Sequence, residues 1–572
     1  MKKIEYKSDN NLFQLWKNYA EKHKDQDLID QLNKIENDNL LMDEFFGRSL
    51  TFGTSGLRGK LGPGPNGMNT LVIKRTTLGI ANYLISLNKA DTAEILKETT
   101  TDENLLSVVI SYDSRIMSKE FAHTAAEVFS ACGIKTYLFN KVTGVPILAF
   151  ATEQLGCSMG IMITASHNPK EFNGYKVYNS DGYQIVGQVA KDVLKNINQI
   201  DYFQDIKQSQ DNIIYLDDQL MEQYLQKIGR SVERLNIQDI GHNKFNVVYT
   251  PLNGAGALPV STLIKNYDQI NLIPVPSQWN FDGHFPTCPK PNPEILEAFT
   301  EAKKVAKINS TKLIIGTDPD SDRLGACALH QGVYKLLNGN QIGALLLDFM
   351  AKHLSSDLVK GKLVIKSIVS SPVIDAIADE YGLVVETKLT GFKYIGQRMV
   401  QLKHEGRYED FLFAYEESNG FLTGDFLHDK DGISAALVLS LVGAYYDQQG
   451  KDLFQAAKDL YEKYNVGYEE NESFEFRGQG WRDRRVAFMD KLRTWVKSNR
   501  VTYIDYRNGY ENLPPSDVLR IEAGNQIVIV RPSGTEPLVK FYCFGPNSDM
   551  QLKKQLEALL LPYLDYTNEN ML

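Results

Sequence analysis

Three times along this 572-residue chain a short, apolar, β-branched run ends in a polar or glycine-rich loop and gives way to a helical pattern. Leu105 to Tyr112 leads to a helical pattern from Lys119 to Cys132. Phe245 to Thr250 leads to one from about Leu258 to Lys265, and Lys362 to Ile368 leads to one from about Pro372 to Tyr381. Strands that alternate with helices imply βαβ units and mostly parallel sheets. The grammar changes near residue 456. A helix carrying Phe488, Leu492 and Trp495 precedes strand runs at Val518 to Glu522, Gln526 to Val530 and Leu538 to Phe544, and a helix from about Met550 to Leu561 follows. Consecutive strands bounded by helices read as an α+β unit. The expected fold is therefore α/β: three similar mixed α/β domains plus a smaller C-terminal α+β domain. Residues from about 10 to 47 are expected to be helical, with Leu12, Leu15, Trp16 and Tyr19 on the apolar face.

Charge narrows the function classes. Lys and Arg number 62 against 71 Asp and Glu, a net −9, which argues against a dedicated nucleic-acid binder but leaves room for a locally basic pocket. The five cysteines form no CxxC pair, so neither a disulfide framework nor a zinc site is expected. The best apolar run, Ile433 to Tyr446, is too short to span a bilayer and reads as a buried helix. A cytoplasmic protein with no membrane partner is expected.

The chemistry-bearing residues sit mostly in the loops. Asp318, Asp320 and Asp322 alternate in one tight turn after the apolar run Leu313 to Ile315. Three carboxylates so close repel one another unless a cation lies among them, and hard oxygen donors suit Mg²⁺; a solvated acidic turn is the other reading. Thr164-Ala165-Ser166-His167-Asn168-Pro169 ends the apolar run Met159 to Ile163, where Ser166 is placed to be a nucleophile or phosphate carrier, or to make an ST turn. Asn173-Gly174-Tyr175-Lys176 follows and reads as a turn with a cation. Arg531-Pro532-Ser533-Gly534-Thr535 offers a guanidinium fork, hydroxyls and glycine-exposed N–H groups, a phosphate cradle or a polar hairpin loop. Glu416-Glu417-Ser418-Asn419-Gly420 would put Glu416 and Ser418 on one side if extended, as a grip on two sugar hydroxyls needs. Phe52 to Gly59 reads as a glycine-rich loop, and Thr390 to Lys393 is a weaker segment. Asn253-Gly254-Ala255-Gly256 imitates a dinucleotide loop, but the GxGxxG pattern is incomplete.

Taken in order, these loops resemble the α-D-phosphohexomutase superfamily over nearly the whole chain, and most of all its phosphoglucomutase/phosphopentomutase branch. The resemblance implies four domains around a central cleft: a phosphoserine domain with the N-terminal helices (1–207), a metal-binding domain (208–330), a sugar-recognition domain (331–455) and a phosphate-binding domain (456–572). It implies that Ser166 carries a phosphoryl group and that Asp318, Asp320 and Asp322 hold Mg²⁺ with Ser166. Arg58, His167, Lys176 and Arg323 would line the transfer site, with Lys393 in proton transfer. Glu416 and Ser418 would hold sugar hydroxyls, and Arg531, Ser533, Gly534 and Thr535 the phosphate not in transit. The implied reaction interconverts glucose 1-phosphate and glucose 6-phosphate, with glucose 1,6-bisphosphate as intermediate and primer. Tyr415 and Asn419 depart from the family's sugar loop, so a phosphopentomutase or phosphomannomutase is the alternative; a metal-dependent sugar phosphatase is the alternative of another class. The sequence leaves the oligomeric state open.

Overall fold

The computed structural model describes residues 10–50, 53, 56–95, 106–238, 240–241, 244–478, 480–533 and 536–565. Three sheets share one plan, a parallel core with antiparallel strands at one edge. In the first sheet the strands lie side by side as Gly56–Lys60, Phe172–Asn179, Met159–Ile163, Ser107–Tyr112, Lys135–Phe139 and Ile213–Leu216. The last four are parallel and the first two antiparallel. In the second, Leu313–Thr317, Phe245–Thr250 and Ile270–Pro274 are parallel, and Leu324–His330 and Val333–Leu337 run antiparallel at the edge. In the third, Val384–Lys388, Leu363–Ser367 and Phe411–Glu416 are parallel, closed by Gly420–Leu422. The fourth sheet is antiparallel throughout, ordered Tyr468–Glu475, Leu538–Gly545, Gln526–Pro532, Leu519–Ala523, Thr502–Asp505.

Some elements differ from expectation. Each of the first three sheets keeps the expected parallel core and adds antiparallel strands at one edge, because each chemistry-bearing loop returns as a tight antiparallel strand. The glycine-rich stretch after Phe52 becomes a strand from Gly56, and Asn173 to Lys176, read as a turn, lies inside its partner strand. Gly56, at φ +116°, lets the backbones meet: a Cβ there would lie 1.9 Å from the Tyr175 carbonyl oxygen. Ile213–Leu216 pairs with Lys135–Phe139, and Val333–Leu337 with Leu324–His330, so both sheets run a few residues past the expected boundaries at 207 and 330.

The core explains how the domains are joined. One continuous apolar cluster runs from Val109 through Leu313, Leu363 and Leu441 to Tyr461, uniting the first three domains. Its centre is the helix Gly432–Gln448, buried on nearly every side. A helix apolar all round needs neighbours all round. It packs on the helix Gly339–His353 of its own domain and on the strands of the second sheet. The N-terminal helices Asn10–His23, Gln26–Glu36 and Asn39–Phe46 pack Trp16, Leu32 and Phe46 into a separate core with the helix Thr70–Ile95. The fourth domain has its own core around Phe488, Leu492, Val528 and Phe541. It meets the third through a patch of Ile368, Val369 and Leu389 against Tyr506, Val518, Ile529, Tyr542 and Phe544. Among the described residues no helix is long and apolar enough to cross a membrane.

Candidate active site

Three of the loops singled out in the sequence leave the carboxyl ends of parallel strands, where open α/β sheets gather ligands. Met159–Ile163 delivers Ser166, Leu313–Thr317 delivers the aspartates, and Phe411–Glu416 delivers Glu416. Ser166 is 2% exposed and its backbone is left-handed, at φ +54°. Its Oγ donates to Asp318 Oδ2 at 2.9 Å and lies 3.2 Å from His167 Nδ1. The serine of the first domain and the carboxylates of the second thus meet directly.

Asp318, Asp320 and Asp322 are all buried, with ligand oxygens within 4.8 Å of one another. Burial, and then the neighbouring Asp320 and Asp322, push Asp318 well above the usual carboxylate range. Burial opposes ionisation of Asp322 too, but Lys176, Lys430 and Arg323 outweigh it and hold that carboxyl below its ordinary value. Lys176 Nζ is 2.7 Å from Asp320 Oδ2 and 3.1 Å from Asp322 Oδ2, and Lys430 Nζ is 2.9 Å from Asp322 Oδ2. Asp320 Oδ1 and Asp322 Oδ1 are buried without a hydrogen-bond partner. Buried carboxylate oxygens without donors are costly unless a cation meets them, and an all-oxygen set fits Mg²⁺.

The aspartate loop is held from three sides. Val145 N donates to Asp320 O at 2.9 Å from the first domain, and Gly432 N donates to Ser321 O at 3.1 Å from the third. Ala255 N donates to Pro319 O at 2.8 Å. A Cβ on Gly254 would lie 2.3 Å from Pro319 Cα, so the glycines that imitate a dinucleotide loop serve instead to let the aspartate loop lie flat against them.

Arg323 pairs with Glu294 and donates to Ser418 O at 3.1 Å, tying the aspartate loop to the loop after Glu416. Asn419, at φ +62°, turns its amide onto Leu324 O at 2.8 Å, so this departure from the family pattern faces the metal domain. Glu416 ends its strand, while Ser418 lies in the following turn, so the two are not on one extended face. Glu416 accepts from Gly391 N at 2.6 Å, and burial, aided by Glu417, raises its carboxyl to about 7. Lys393 opens the helix Phe392–His404; burial and the nearby Arg531 lower it to about 8 against the pull of Glu416.

Arg531 ends the strand Gln526–Pro532 near Glu416 and Glu417, with Nη1 3.4 Å from Tyr542 Oη. The loop beyond it is braced by Ser533 N on Leu538 O at 2.9 Å and by Arg485 on Ser533 O. Gly534 and Thr535 lie outside the described residues. Arg58 stands exposed on the edge strand, with Nη1 3.1 Å from Asn168 Oδ1. His167 is held well below its ordinary value, first by burial and then by Arg323 and Arg58, so it is neutral near pH 7. A line of charge thus runs from the aspartates through Lys430 and Arg323 to Glu416, Lys393 and Arg531.

Two groups escaped the sequence reading. Lys430 lies in Asp429-Lys430-Asp431, a charged triplet just before the buried helix Gly432–Gln448, and that placement is a signal of buried charge. Asp113 and Arg115 follow the apolar strand Ser107–Tyr112 at its carboxyl end, the same position that flagged the other loops.

Known proteins match this arrangement along its length. The phosphoglucomutase/phosphomannomutase alpha/beta/alpha domains I, II and III match residues 49–204, 222–331 and 338–464, and the C-terminal domain matches 485–561. A phosphoglucomutase of Staphylococcus haemolyticus is 34% identical over 546 residues, 91% of this chain and 94% of the relative. One from Staphylococcus aureus is 33% identical over 544 residues, 90% and 93% of the two chains. The solved open form of Paramecium pp63/parafusin superposes with a TM-score of 0.64 at 15% identity, covering 90% of this chain and 96% of that one.

Proposed function

The chain belongs to the phosphoglucomutase/phosphomannomutase family, and from that premise we propose that it interconverts glucose 1-phosphate and glucose 6-phosphate through a phosphorylated Ser166 and glucose 1,6-bisphosphate. The observation that carries the reading is the 2.9 Å contact between Ser166 Oγ and Asp318 beside two further buried carboxylates. Ser166, Asp318, Asp320 and Asp322 would hold Mg²⁺. When bound, the ion supplies charge neutralisation at the transferring phosphoryl group.

The chain's own residues do the rest. Glu416 and Ser418 grip the sugar, and Arg531 with Ser533, Gly534 and Thr535 grips the phosphate that stays in place. Binding energy far from the reacting atoms is thereby turned into orientation. On transfer, the Ser166 Oγ–P bond breaks, a bond forms from the sugar hydroxyl oxygen to phosphorus, and the hydroxyl proton ends on Oγ. Neutral His167, 3.2 Å from that oxygen, is suited to relay the proton, with Arg58, Lys176 and Arg323 lining the path of the charge. Lys393, coupled in charge to Glu416, sits in the segment that reads the sugar and takes part in proton transfer. The bisphosphate then turns end for end and returns its other phosphoryl group to Ser166. Near-complete burial of Ser166 keeps water from intercepting it.

Replacing Ser166 by Ala is expected to abolish turnover of glucose 1-phosphate, supplied with Mg²⁺ and a trace of glucose 1,6-bisphosphate, while leaving the melting temperature near that of the parent. Substantial residual isomerisation would refute the carrier. Release of free phosphate without isomerisation by the parent enzyme would identify a phosphatase. Comparing kcat/KM for glucose, mannose, ribose and deoxyribose 1-phosphates tests the sugar; a larger value for any of the last three overturns glucose.

A further inference from the structure

Arg115 touches neither the aspartates nor any residue assigned above to the sugar, yet its side chain is fully buried against the carrier loop. Its Nη2 donates to Ser166 O at 2.5 Å and to Asn168 O. Its Nη1 donates to Pro169 O at 2.9 Å and to Phe172 O at 3.2 Å. One guanidinium thus gathers carbonyls along the whole turn that carries Ser166. Asp113 fixes the guanidinium: its Oδ2 is 3.2 Å from Arg115 Nε, and its Oδ1 accepts from Arg115 N at 3.0 Å and from Ser118 Oγ at 2.7 Å. The same carboxylate accepts from Thr164 Oγ1 at 2.6 Å, and Ser166 N donates to that Thr164 oxygen at 2.7 Å. Both backbone groups of Ser166 are therefore set by the Asp113–Arg115 pair. A left-handed non-glycine backbone persists only where its surroundings over-determine it, and φ +54° at Ser166 is such a case.

The pair also reaches the metal domain. The Arg115 guanidinium lies 5.1 Å from the centre of the Phe285 ring, and Arg115 forms a β-bridge with Gly283. Both partners belong to the second domain, close in sequence to Glu294, which holds Arg323. We propose that Arg115 is a positioning residue that registers the phosphate carrier against the metal loop, fixing the line along which Ser166 faces Asp318. The proposal rests on Ser166 being the carrier. A planar fork with several fixed donors can hold such a set of carbonyls, whereas an ammonium on a flexible stem cannot.

Arg115→Lys keeps the charge beside Asp113 and removes the fork. Expected are a kcat lower by about 100-fold, since a misplacement near 1 Å costs that much, and a KM within roughly threefold. Phosphate released per isomerisation is expected to rise, because a loosened carrier admits water, and the melting temperature should shift by only a few degrees. Phe285→Leu keeps the apolar contact and removes the ring face; it is expected to raise the Mg²⁺ concentration needed for half-maximal rate while leaving kcat at saturating Mg²⁺ nearer the parent value. Intact mass and peptide mapping of parent and variants report phosphate on Ser166. A parent enzyme that turns over while carrying no phosphate on Ser166 even after incubation with glucose 1,6-bisphosphate sinks the carrier reading itself. A phosphorylated Arg115→Lys enzyme with kcat within roughly threefold of the parent overturns the proposal alone. So does a loss of kcat that only follows the folded fraction, with phosphate release per turnover unchanged.

Discussion

Glu416 is where burial sets chemistry at the scale of one residue. Burial raises its carboxyl to about 7, so the carboxylate proposed to grip the sugar forms as pH rises through that value and is protonated below it. Lys393, lowered to about 8, is an ammonium below that pH and loses its charge above it. We therefore expect kcat/KM to fall about tenfold per pH unit on the acid side of 7, to stay level between, and to decline again above 8. Glu416→Gln should lower kcat/KM and flatten the acid limb. A parent profile flat from pH 5.5 to 8.5 would remove Glu416 from the role. The titratable residues themselves were plain in the sequence, but their environments were not: nothing in Glu416-Glu417 says that the N–H of a glycine 25 residues away closes on one oxygen, because that contact depends on how neighbouring strands pack. Asn419 shows the same limit. Its identity invites a role in choosing the sugar, whereas its left-handed backbone and its bond to Leu324 give it a role in joining two loops.

At the scale of elements, the helix Gly432–Gln448 is the seam between the second and third domains. Gly443 lies where a Cβ would be 2.6 Å from the Phe245 ring and 2.9 Å from Leu313. Gly443→Val should overpack this seam and cost about 1–3 kcal/mol, read as a fall in melting temperature with substrate binding weakened at most in parallel. An unchanged melting temperature would mean that the seam yields. The sequence made this helix visible through its long run without a charged residue. It also made the central strands visible, since Phe245–Thr250 and Leu313–Thr317 are mostly apolar. Edge strands carry no such mark. Tyr468–Glu475 is acidic and half-exposed, and only its pairing with Leu538–Gly545 marks it as a strand, with Lys553 2.6 Å from both Glu470 and Glu472. Gly56–Lys60 was hidden by the glycines that its close pairing requires.

For the whole molecule, one core holds three domains together while the fourth keeps its own. The joint between them is the turn from Asn465 to Gly467 and the patch around Ile368 and Phe544. Motion is therefore expected at that joint, bringing Arg531 toward or away from Glu416. Small-angle scattering should give a smaller radius of gyration with saturating glucose 1-phosphate and Mg²⁺ than without; equal radii would count against a hinged fourth domain. The four-unit plan was legible because the loops between strands carry their chemistry in chain order, whereas the shared core was not, since it is assembled from residues hundreds of positions apart.

That joint also bears on economy in the cell. If eight side chains govern how long the jaw stays shut, they govern whether a doubly phosphorylated sugar completes its somersault inside or drifts off, and so how often the enzyme must be reprimed from outside.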